Sequence, residues 1–429
     1  MTDGQEAGAR PAVVPLLEPR GGIPPVVADE VALAEVVERF AAGVGPVAVD
    51  AERASGYRYS QRAYLVQLRR SGAGTALIDP VSCPDLSALS DAIADAEWVL
   101  HAATQDLPSL AGVGMRPRQL FDTELASRIA GYERVGLATM SEIILGHQLA
   151  KEHSAVDWSR RPLPEPWLAY AALDVEILVD LRDALEGELE RQGKLTWVYE
   201  EFAAILAAPP APPRTDPWRR TSGIHRLRGR RQLGIARALW EARDELAQRR
   251  DVAPGRLLPD SAIIAAASTS PPAPEALGRL PGWGGKATRR LVPIMWPVVE
   301  QALSLPESDL PRPSAPGDGP PPPSRWPDRD PVAAERLIRT RAAVNAIAAE
   351  HGLPVENLVS PDLVRRLTWT PPAGTEDAVA AVLTAGGART WQVRLVAAAL
   401  ADALVDQPVV RAESPEVDSV PVVEADGAR

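Results

Sequence analysis

Two carboxylates stand close together near the start of the chain, where they could hold a cation. They are Asp50 and Glu52, in the sequence Val-Ala-Val-Asp-Ala-Glu. Residues i and i+2 of a strand point to the same face, so both carboxylates are expected on one side. Two such acids repel each other unless a cation lies between them. Taken alone, an Asp-x-Glu pair is more typical of a strand end that reaches solvent.

Two further segments carry acids or a phenol in suggestive positions. Asp106 lies in His-Ala-Ala-Thr-Gln-Asp-Leu, where it would begin a helix, and the helix dipole favours an acid there. Tyr170 and Asp174 are four residues apart in a helical stretch, so they share one helix face. Each pattern alone is common and would carry little functional weight.

The elements that would position these residues alternate between strands and helices. Residues 29–42 are predicted as a helix, and residues 165–191 as a long one. Residues 47–52, 64–68, 75–79 and 98–101 are predicted as strands, with a Ser-Gly-Ala-Gly turn at 71–74. This alternation indicates an α/β or α+β domain.

Together, in this order and context, the three segments resemble the DEDDy 3′–5′ exonucleases, specifically the ribonuclease D family. Val-Ala-Val-Asp-Ala-Glu (47–52) matches the first exonuclease motif, Val-Leu-His-Ala-Ala-Thr-Gln-Asp-Leu (99–107) the second, and Tyr-Ala-Ala-Leu-Asp-Val (170–175) the third. Phe-Asp-Thr at 121–123 and Val-Asp-Trp-Ser-Arg-Arg-Pro-Leu at 156–163 fit as well. The match covers about residues 26–207.

This resemblance implies a ribonuclease-H-like α/β fold with a mixed sheet flanked by helices. It also implies two divalent metal ions, Mg²⁺ or Mn²⁺, and hydrolysis of RNA from its 3′ end with release of nucleoside 5′-monophosphates. By the same resemblance, the metal ligands are Asp50, Glu52, Asp106 and Asp174, and Tyr170 orients the attacking water. A phenol with a pKa of about 10 is protonated at neutral pH, so Tyr170 is not expected to act as the base.

A basic segment follows the acidic one. Residues 214–303 contain 16 basic and 8 acidic residues, a net charge of +8, whereas residues 1–213 carry -13 and residues 304–429 carry -6. The segment resembles an HRDC domain in Leu-Trp-Glu-Ala-Arg (239–243), Arg-Leu-Leu-Pro-Asp (256–260) and Leu-Pro-Gly-Trp (280–283). This resemblance implies nucleic-acid binding, for which the candidate residues are Arg226, Arg228, Arg230, Arg231, Lys286, Arg289 and Arg290.

Proline clusters suggest the boundaries of the domains. The predicted segments are a disordered N-terminus (1–25), an exonuclease domain (26–207), a Pro-rich linker (208–216), an HRDC domain (217–303), a second Pro-rich linker (304–331), a second helical, HRDC-like domain (332–405) and an acidic tail (406–429). One or two small all-α domains therefore accompany the exonuclease domain.

Composition narrows the class of protein. The overall charge of -11 hides the basic segment and predicts little about partners. A single cysteine excludes a disulfide framework, and the sequence contains no apolar run suited to a signal peptide or a membrane span. We therefore expect a cytoplasmic monomer whose partner is RNA, with tRNA precursors as candidate substrates. A 3′–5′ exonuclease acting on DNA and a non-catalytic RNA-binding scaffold remain the alternatives.

Overall fold

The computed structural model describes residues 13–149, 155–313 and 319–405. It divides into two compact units. Of the described residues, the larger unit contains 13–149, 155–313, 348–357 and 389–391, and the smaller unit contains 319–347, 358–388 and 392–405. The predicted acidic tail and the first 12 residues lie outside the described residues.

A six-stranded mixed sheet forms the centre of the exonuclease segment. The strands among the described residues are β1 (Val14–Leu16), β2 (Val26–Val27), β3 (Val44–Arg53), β4 (Ala63–Ser71), β5 (Gly74–Ile78), β6 (Glu97–Leu100), β7 (Gln119–Asp122) and β8 (His147–Leu149). The order in the large sheet is β2-β5-β4-β3-β6-β7, and β1 pairs with β8 in a separate two-stranded sheet. β3 runs antiparallel to β4 and parallel to β6, which confirms the predicted mixed sheet.

The hydrophobic pattern of β3 explains its central place. Val47, Ala48 and Val49 are fully buried, as expected for a strand covered on both faces. The turn between β4 and β5 places Gly72 and Gly74 at positive φ, a conformation that glycine adopts at little cost.

Helices cover the sheet. In the exonuclease segment they are α1 (Glu30–Ala41), α2 (Ser87–Ala92), α3 (Leu107–Ala111), α4 (Thr123–Ala130), α5 (Leu137–Met140), α6 (Glu165–Glu176), α7 (Leu178–Arg191) and α8 (Leu195–Ala207). The single helix predicted for 165–191 was wrong, because the chain breaks at Ile177 into α6 and α7. Ile177 is fully buried, and a period of apolar residues does not reveal such a break.

The first described residues are ordered, so the prediction of a disordered N-terminus was wrong for residues 13–25. β1 pairs in parallel with β8, and the backbone N–H of Arg20 donates to both carboxylate oxygens of Glu176 at 3.1 Å. The Glu176 side chain is only 1% exposed. A buried carboxylate needs donors, and these come from a segment 156 residues away in sequence. Composition does not reveal so distant a partner.

Replacing Arg20 tests this contact. The Gly22 N–H donates to the Pro19 carbonyl at 2.9 Å, so Arg20 occupies the second position of a turn, where proline is favoured. Arg20→Pro removes the N–H and should lower the free energy of unfolding by about 1–3 kcal/mol, because Glu176 stays buried with fewer donors. Arg20→Ala keeps the N–H and should cost less than about 1 kcal/mol, since the guanidinium is half exposed. Urea denaturation measures both, and equal losses would contradict the argument.

The HRDC segment is entirely helical in the described residues. Its helices are α9 (Arg230–Arg250), α10 (Pro254–Leu257), α11 (Asp260–Thr269), α12 (Pro274–Gly278), α13 (Lys286–Arg289) and α14 (Val292–Ser304). Trp218 and Trp283 are buried in one core, and Trp240 and Trp296 pack against it. The Trp283 indole N–H donates to the Ala262 carbonyl at 2.9 Å, so the buried polar atom has a partner.

The prediction that Pro-rich linkers set the domains apart was wrong in part. Residues 208–213 are exposed and irregular, as expected, but the exonuclease and HRDC segments belong to one compact unit. In the second linker, Leu310 is buried, and its carbonyl accepts from Arg230 at 2.6 Å. Trp326 is also buried, and its indole N–H donates to Pro321 at 2.7 Å. Proline carbonyls are good acceptors, so a proline-rich run can pack against a tryptophan.

The C-terminal segment is helical, as predicted. Its helices are α15 (Trp326–Arg329), α16 (Pro331–Glu350), α17 (Val355–Leu358), α18 (Pro361–Trp369), α19 (Glu376–Ala385) and α20 (Thr390–Leu404). Within the smaller unit the rings of Trp326 and Trp369 lie 4.8 Å apart, and Arg336 donates to the Thr368 carbonyl. Among the described helices of the whole chain, none combines the length and apolar character that a membrane span requires.

Candidate active site

Three carboxylates meet at the centre of the sheet. Asp50 and Glu52 project from β3, and Asp174 comes from the last turns of α6. One oxygen of each lies within 4.8 Å of an oxygen of the others. The alternation of side chains along β3 places its two acids on one face, and the packing of α6 against β3 brings in the third. The structure therefore unites the first and third predicted motifs.

Asp106 joins this group from another element. It precedes α3, after β6, and it is 5% exposed. Asp106 shares a hydrogen bond with Asp50, and its Oδ1 lies 3.2 Å from the Arg53 guanidinium. Burial and the negative charge of Asp50 raise the pKa of Asp106 to about 8. The second predicted motif thus reaches the first.

Tyr170 lies one helical turn before Asp174, as its spacing predicts. The two side chains are hydrogen-bonded. Burial, and then the negative charges of Asp174 and Glu52, raise the pKa of Tyr170 above its usual value. The phenol is therefore protonated at neutral pH and can donate a hydrogen bond.

The electrostatics of the cluster suit a divalent cation. Burial raises the pKa of Asp50, Glu52 and Asp174. The charge of Asp50 raises the pKa of the other two further. Their charged forms are costly without a counter-ion, and a cation among them would remove that cost. All of the grouped ligand atoms are carboxylate oxygens, the preference of Mg²⁺ and Mn²⁺, so the cluster is compatible with a divalent-metal site.

Sequence reasoning missed Gln67, which holds Asp50. Gln67 is fully buried on β4, and its amide Nε2 donates to the Asp50 carboxylate at 2.6 Å. The two residues are directly paired in the antiparallel register. Its Oε1 has no hydrogen-bond partner in the part of the chain that the structure describes. A buried glutamine inside an apolar strand, Leu-Val-Gln-Leu, was the available signal.

Asp122, from the Phe-Asp-Thr segment, shapes the loop that precedes Asp106. Its carboxylate accepts from the backbone N–H groups of Ala102 and Ala103, both at 2.9 Å, and it also caps α4. Ala102 has a left-handed φ of 62°, so the carboxylate stabilises a strained turn. His101 lies beside this loop, and burial lowers its pKa to about 4. A neutral His101 that contacts the Thr123 hydroxyl at 2.9 Å fits a structural role.

Arg161 anchors the segment that leads into α6. Its guanidinium forms two hydrogen bonds with the Asp79 carboxylate, both at 2.7 Å, and donates to the Tyr64 carbonyl at 2.7 Å. Asp79 follows β5 and Tyr64 lies on β4, so the segment is tied to the sheet. The stretch at 156–163 thus helps to place the helix that carries Tyr170 and Asp174.

The candidate nucleic-acid-binding residues divide into two groups. Arg230 donates to the carbonyls of Leu310 and Pro311, and Arg231 donates to those of Ala302 and Leu305. These two guanidiniums hold the end of the HRDC segment together. The remaining five side chains are exposed, which leaves them accessible to a ligand: Arg226, Arg228, Lys286, Arg289 and Arg290.

Family models match three parts of the chain. Residues 24–190 match the 3′–5′ exonuclease model, residues 232–299 match the HRDC domain, and residues 319–404 match the 3′ to 5′ exonuclease C-terminal domain. The exonuclease match begins two residues before the predicted exonuclease segment (26–207) and ends inside it, and the HRDC match lies within the predicted HRDC segment (217–303). The third covers the segment that was predicted as a second HRDC-like domain.

Comparisons over most of the chain agree with these models. The chain is 35% identical to a ribonuclease D of Gluconacetobacter diazotrophicus over 335 residues, which covers 76% of this chain and 81% of that protein. A crystal structure of a protein from Bifidobacterium adolescentis is similar with 39% identity and a TM-score of 0.83, covering 91% of this chain and 99% of that one. Escherichia coli RNase D, described as an exoribonuclease involved in structured RNA processing, is 26% identical with a TM-score of 0.64, covering 89% and 98%.

Proposed function

The chain belongs to the ribonuclease D family of 3′–5′ exoribonucleases, and we propose that it removes nucleotides one at a time from 3′ ends of RNA through a two-metal site built on Asp50. The observation that carries this proposal is the approach of Asp50, Glu52 and Asp174 to within 4.8 Å, with Asp106 bonded to Asp50.

Four carboxylates would hold two divalent ions, Mg²⁺ or Mn²⁺. Asp50 is central, since it is hydrogen-bonded to Asp106 and one of its oxygens lies within 4.8 Å of an oxygen of Glu52 and of Asp174. Asp50 would help to hold both ions, Glu52 and Asp174 would help to hold the ion at the attacking water, and Asp106 would support the second ion. When bound, such ions would lower the pKa of the attacking water and would stabilise the charge that develops on the oxygens of the phosphodiester.

Tyr170 is assigned as the residue that orients the attacking water. It is protonated, and it is held at the cluster by its hydrogen bond with Asp174. Gln67 fixes one oxygen of Asp50 from the neighbouring strand and so limits the rotation of that carboxylate.

The substrate is proposed to be RNA, with tRNA precursors among the candidates. Support comes from the family and from the similarity to Escherichia coli RNase D, an exoribonuclease involved in structured RNA processing. The exposed basic side chains of the HRDC segment, Arg226, Arg228, Lys286, Arg289 and Arg290, would bind phosphates. The proposal includes a cytoplasmic monomer; the single cysteine is buried, so it offers no exposed thiol for a disulfide between copies of the chain.

One degradation assay tests the activity. RNA and DNA of one sequence, labelled at either the 5′ or the 3′ end, are incubated with the protein in Mg²⁺, in Mn²⁺ and in chelator. We expect a ladder of 5′-labelled RNA products and early release of the 3′ label as a mononucleotide, with metal only. Internal cuts, or activity in chelator, would refute the mechanism. Faster degradation of DNA than of RNA would favour the DNA enzyme, since discrimination depends on the 2′-hydroxyl.

A further inference from the structure

The HRDC segment is docked on the loop that follows the first pair of catalytic acids. This loop, residues 54–62, joins β3 to β4. The Tyr59 hydroxyl donates to Asp244 at 3.0 Å, and the Ser60 N–H donates to Asp251 at 2.9 Å. The Ala253 N–H donates to the Tyr57 carbonyl at 2.9 Å. We call this contact between residues 54–62 and the HRDC segment the joint. Because two of its hydrogen bonds involve backbone atoms, the two parts meet in a defined register.

Arg256 extends from the HRDC side across this joint. Its guanidinium carbon lies 3.8 Å from the centre of the Tyr57 ring, and its Nε donates to the Gly56 carbonyl at 2.7 Å. Neither of its Nη atoms has a hydrogen-bond partner among the described residues, and the residue is exposed. The stack and the single bond therefore orient a guanidinium whose terminal donors are available to a ligand.

Two arginines of the loop itself lie close by. The exposed Arg62 lies over the Tyr64 ring at 4.7 Å, and the half-buried Arg58 is held by a bond from its Nε to Ser159 at 2.7 Å. Both guanidiniums lie near Asp251. Partial burial raises the pKa of Asp251, but the hydrogen bond from Ser60 and these two positive charges outweigh it, so the pKa is lowered. The oriented guanidiniums of Arg58, Arg62 and Arg256 therefore all lie at the joint.

Among the described residues, the carboxylates of the joint do not accept hydrogen bonds from the terminal nitrogens of these arginines. One oxygen of Asp244 accepts from Tyr59, and the two oxygens of Asp251 accept from Ser60 and, at 3.4 Å, from Tyr64. These carboxylates serve the docking contact. The terminal guanidinium donors remain for an external anion, and the planar fork of arginine matches phosphate oxygens.

The joint is also close to the reacting centre along the chain. Tyr57, on which Arg256 is stacked, is five residues after Glu52, so their Cα atoms are at most about 18 Å apart. That distance corresponds to a few nucleotides of an extended strand. If the 3′ end lies at the carboxylates, the strand that leads away from them can reach the joint.

We propose that Arg58, Arg62 and Arg256 form a phosphate-binding track, which holds the RNA strand a few nucleotides to the 5′ side of the scissile bond. The track rests on the proposed function, because it needs a 3′ end at the carboxylate cluster. In this proposal the docked HRDC segment has two roles. It contributes Arg256 to the track, and it holds in place the loop that carries Arg58 and Arg62.

The dependence of activity on RNA length distinguishes a phosphate-binding track from a contact at the scissile bond. We compare Arg62→Gln, Arg256→Gln and the double variant on a dinucleotide and on a longer unstructured oligoribonucleotide. The dinucleotide ends before the track, so the ratio of kcat/KM for the longer RNA to that for the dinucleotide should fall about tenfold for each charged contact removed. Arg118→Gln, at the opposite end of the sheet just before β7, is the matched control and should keep the wild-type ratio.

Salt dependence gives a second measurement. RNA affinity is measured by fluorescence anisotropy in the full chain carrying Asp50→Asn, so that binding is read without turnover. Each lost phosphate contact should reduce the slope of log affinity against log salt by about 0.7. If Arg256→Gln loosens the docking itself, Arg62→Gln still tests the track, since Arg62 forms no bond to the HRDC side in the described structure.

These measurements distinguish a failure of the track from a failure of the proposed function. A wild-type chain that degrades no RNA would refute the proposed function, whereas the anisotropy slopes would still report the track. A length ratio and slope equal to those of the wild type, with an active enzyme, would refute the track alone. Equal losses on the dinucleotide and the longer RNA would also overturn it, because the arginines would then act at the reacting centre. A salt slope that changes only for duplex DNA would assign the surface to another ligand.

Discussion

Asp50→Asn is expected to lower kcat by a factor of about 10³ or more. Its carboxylate is bonded to Asp106 and lies within 4.8 Å of Glu52 and Asp174, and a metal held there would contribute several kcal/mol of transition-state stabilisation. Asparagine retains an oxygen that can accept from Gln67, so the position of the side chain is kept while its charge is lost. Single-turnover degradation of end-labelled RNA in saturating Mn²⁺ measures the effect. Tyr170→Phe should lose less, since it removes one hydrogen bond and no metal ligand.

The same substitution is expected to stabilise the metal-free protein. Burial raises the pKa of Asp50, and its charge raises the pKa of Glu52, Asp106 and Asp174. Removing that charge relieves repulsion, so the melting temperature without metal should rise by a few degrees while activity is lost. Asp91→Asn, an exposed change on α2, is the control and should alter neither quantity. An inactive Asp50→Asn chain that melts lower than the wild type would indicate misfolding and would leave the assignment of Asp50 unsupported.

Metal stabilisation is expected to increase with pH. The pKa of Asp106 is raised to about 8, against about 4 for an unfolded aspartate, so between these values the native state binds more protons than the unfolded state. The metal-free protein should therefore lose stability as pH rises through this range, by up to about 1.4 kcal/mol per pH unit for each such group. Mn²⁺ replaces those protons, so the rise in melting temperature that it produces should be larger at high pH.

The range of pH matters because His101 opposes this trend. Burial lowers its pKa from 6.5 to about 4, so its contribution to stability is lost as pH falls below 6.5. Melting curves with and without Mn²⁺ are therefore compared between about pH 7 and pH 8.5, above the titration of histidine. Asp106→Asn should reduce the pH dependence of the metal-free protein without abolishing it, because the pKa values of Asp50, Glu52 and Asp174 are raised as well. A rise in melting temperature with Mn²⁺ that does not depend on pH would contradict the raised pKa of the cluster.

The candidate site was largely predictable because its residues follow local rules. The two-residue spacing of Asp50 and Glu52 determined that they share a strand face, and the four-residue spacing of Tyr170 and Asp174 determined that they share a helix face. The order of the motifs then indicated the family and with it the mixed sheet. The place of Asp106 beside Asp50 came from the family resemblance, since no local spacing connects them.

The partners of these residues were decided only by tertiary structure. Gln67 faces Asp50 because of the strand register. Arg20 reaches Glu176 across 156 positions, and neither pairing follows from residue types. Arg230 and Arg231 illustrate the same limit: the charge of a basic run is visible in the sequence, but the backbone carbonyls that hold two of its members are not.

The sequence by itself determined which side chains of β3 and α6 share a face in the candidate site, since spacing and residue type set the face of each element. Tertiary structure decided how the modules meet. The proline-rich stretches suggested separate domains, yet the HRDC segment is bonded to the loop after β3 through Tyr59 and Ser60. Such contacts depend on the distance and orientation of backbone groups that are far apart in the chain, and no periodicity or composition encodes them.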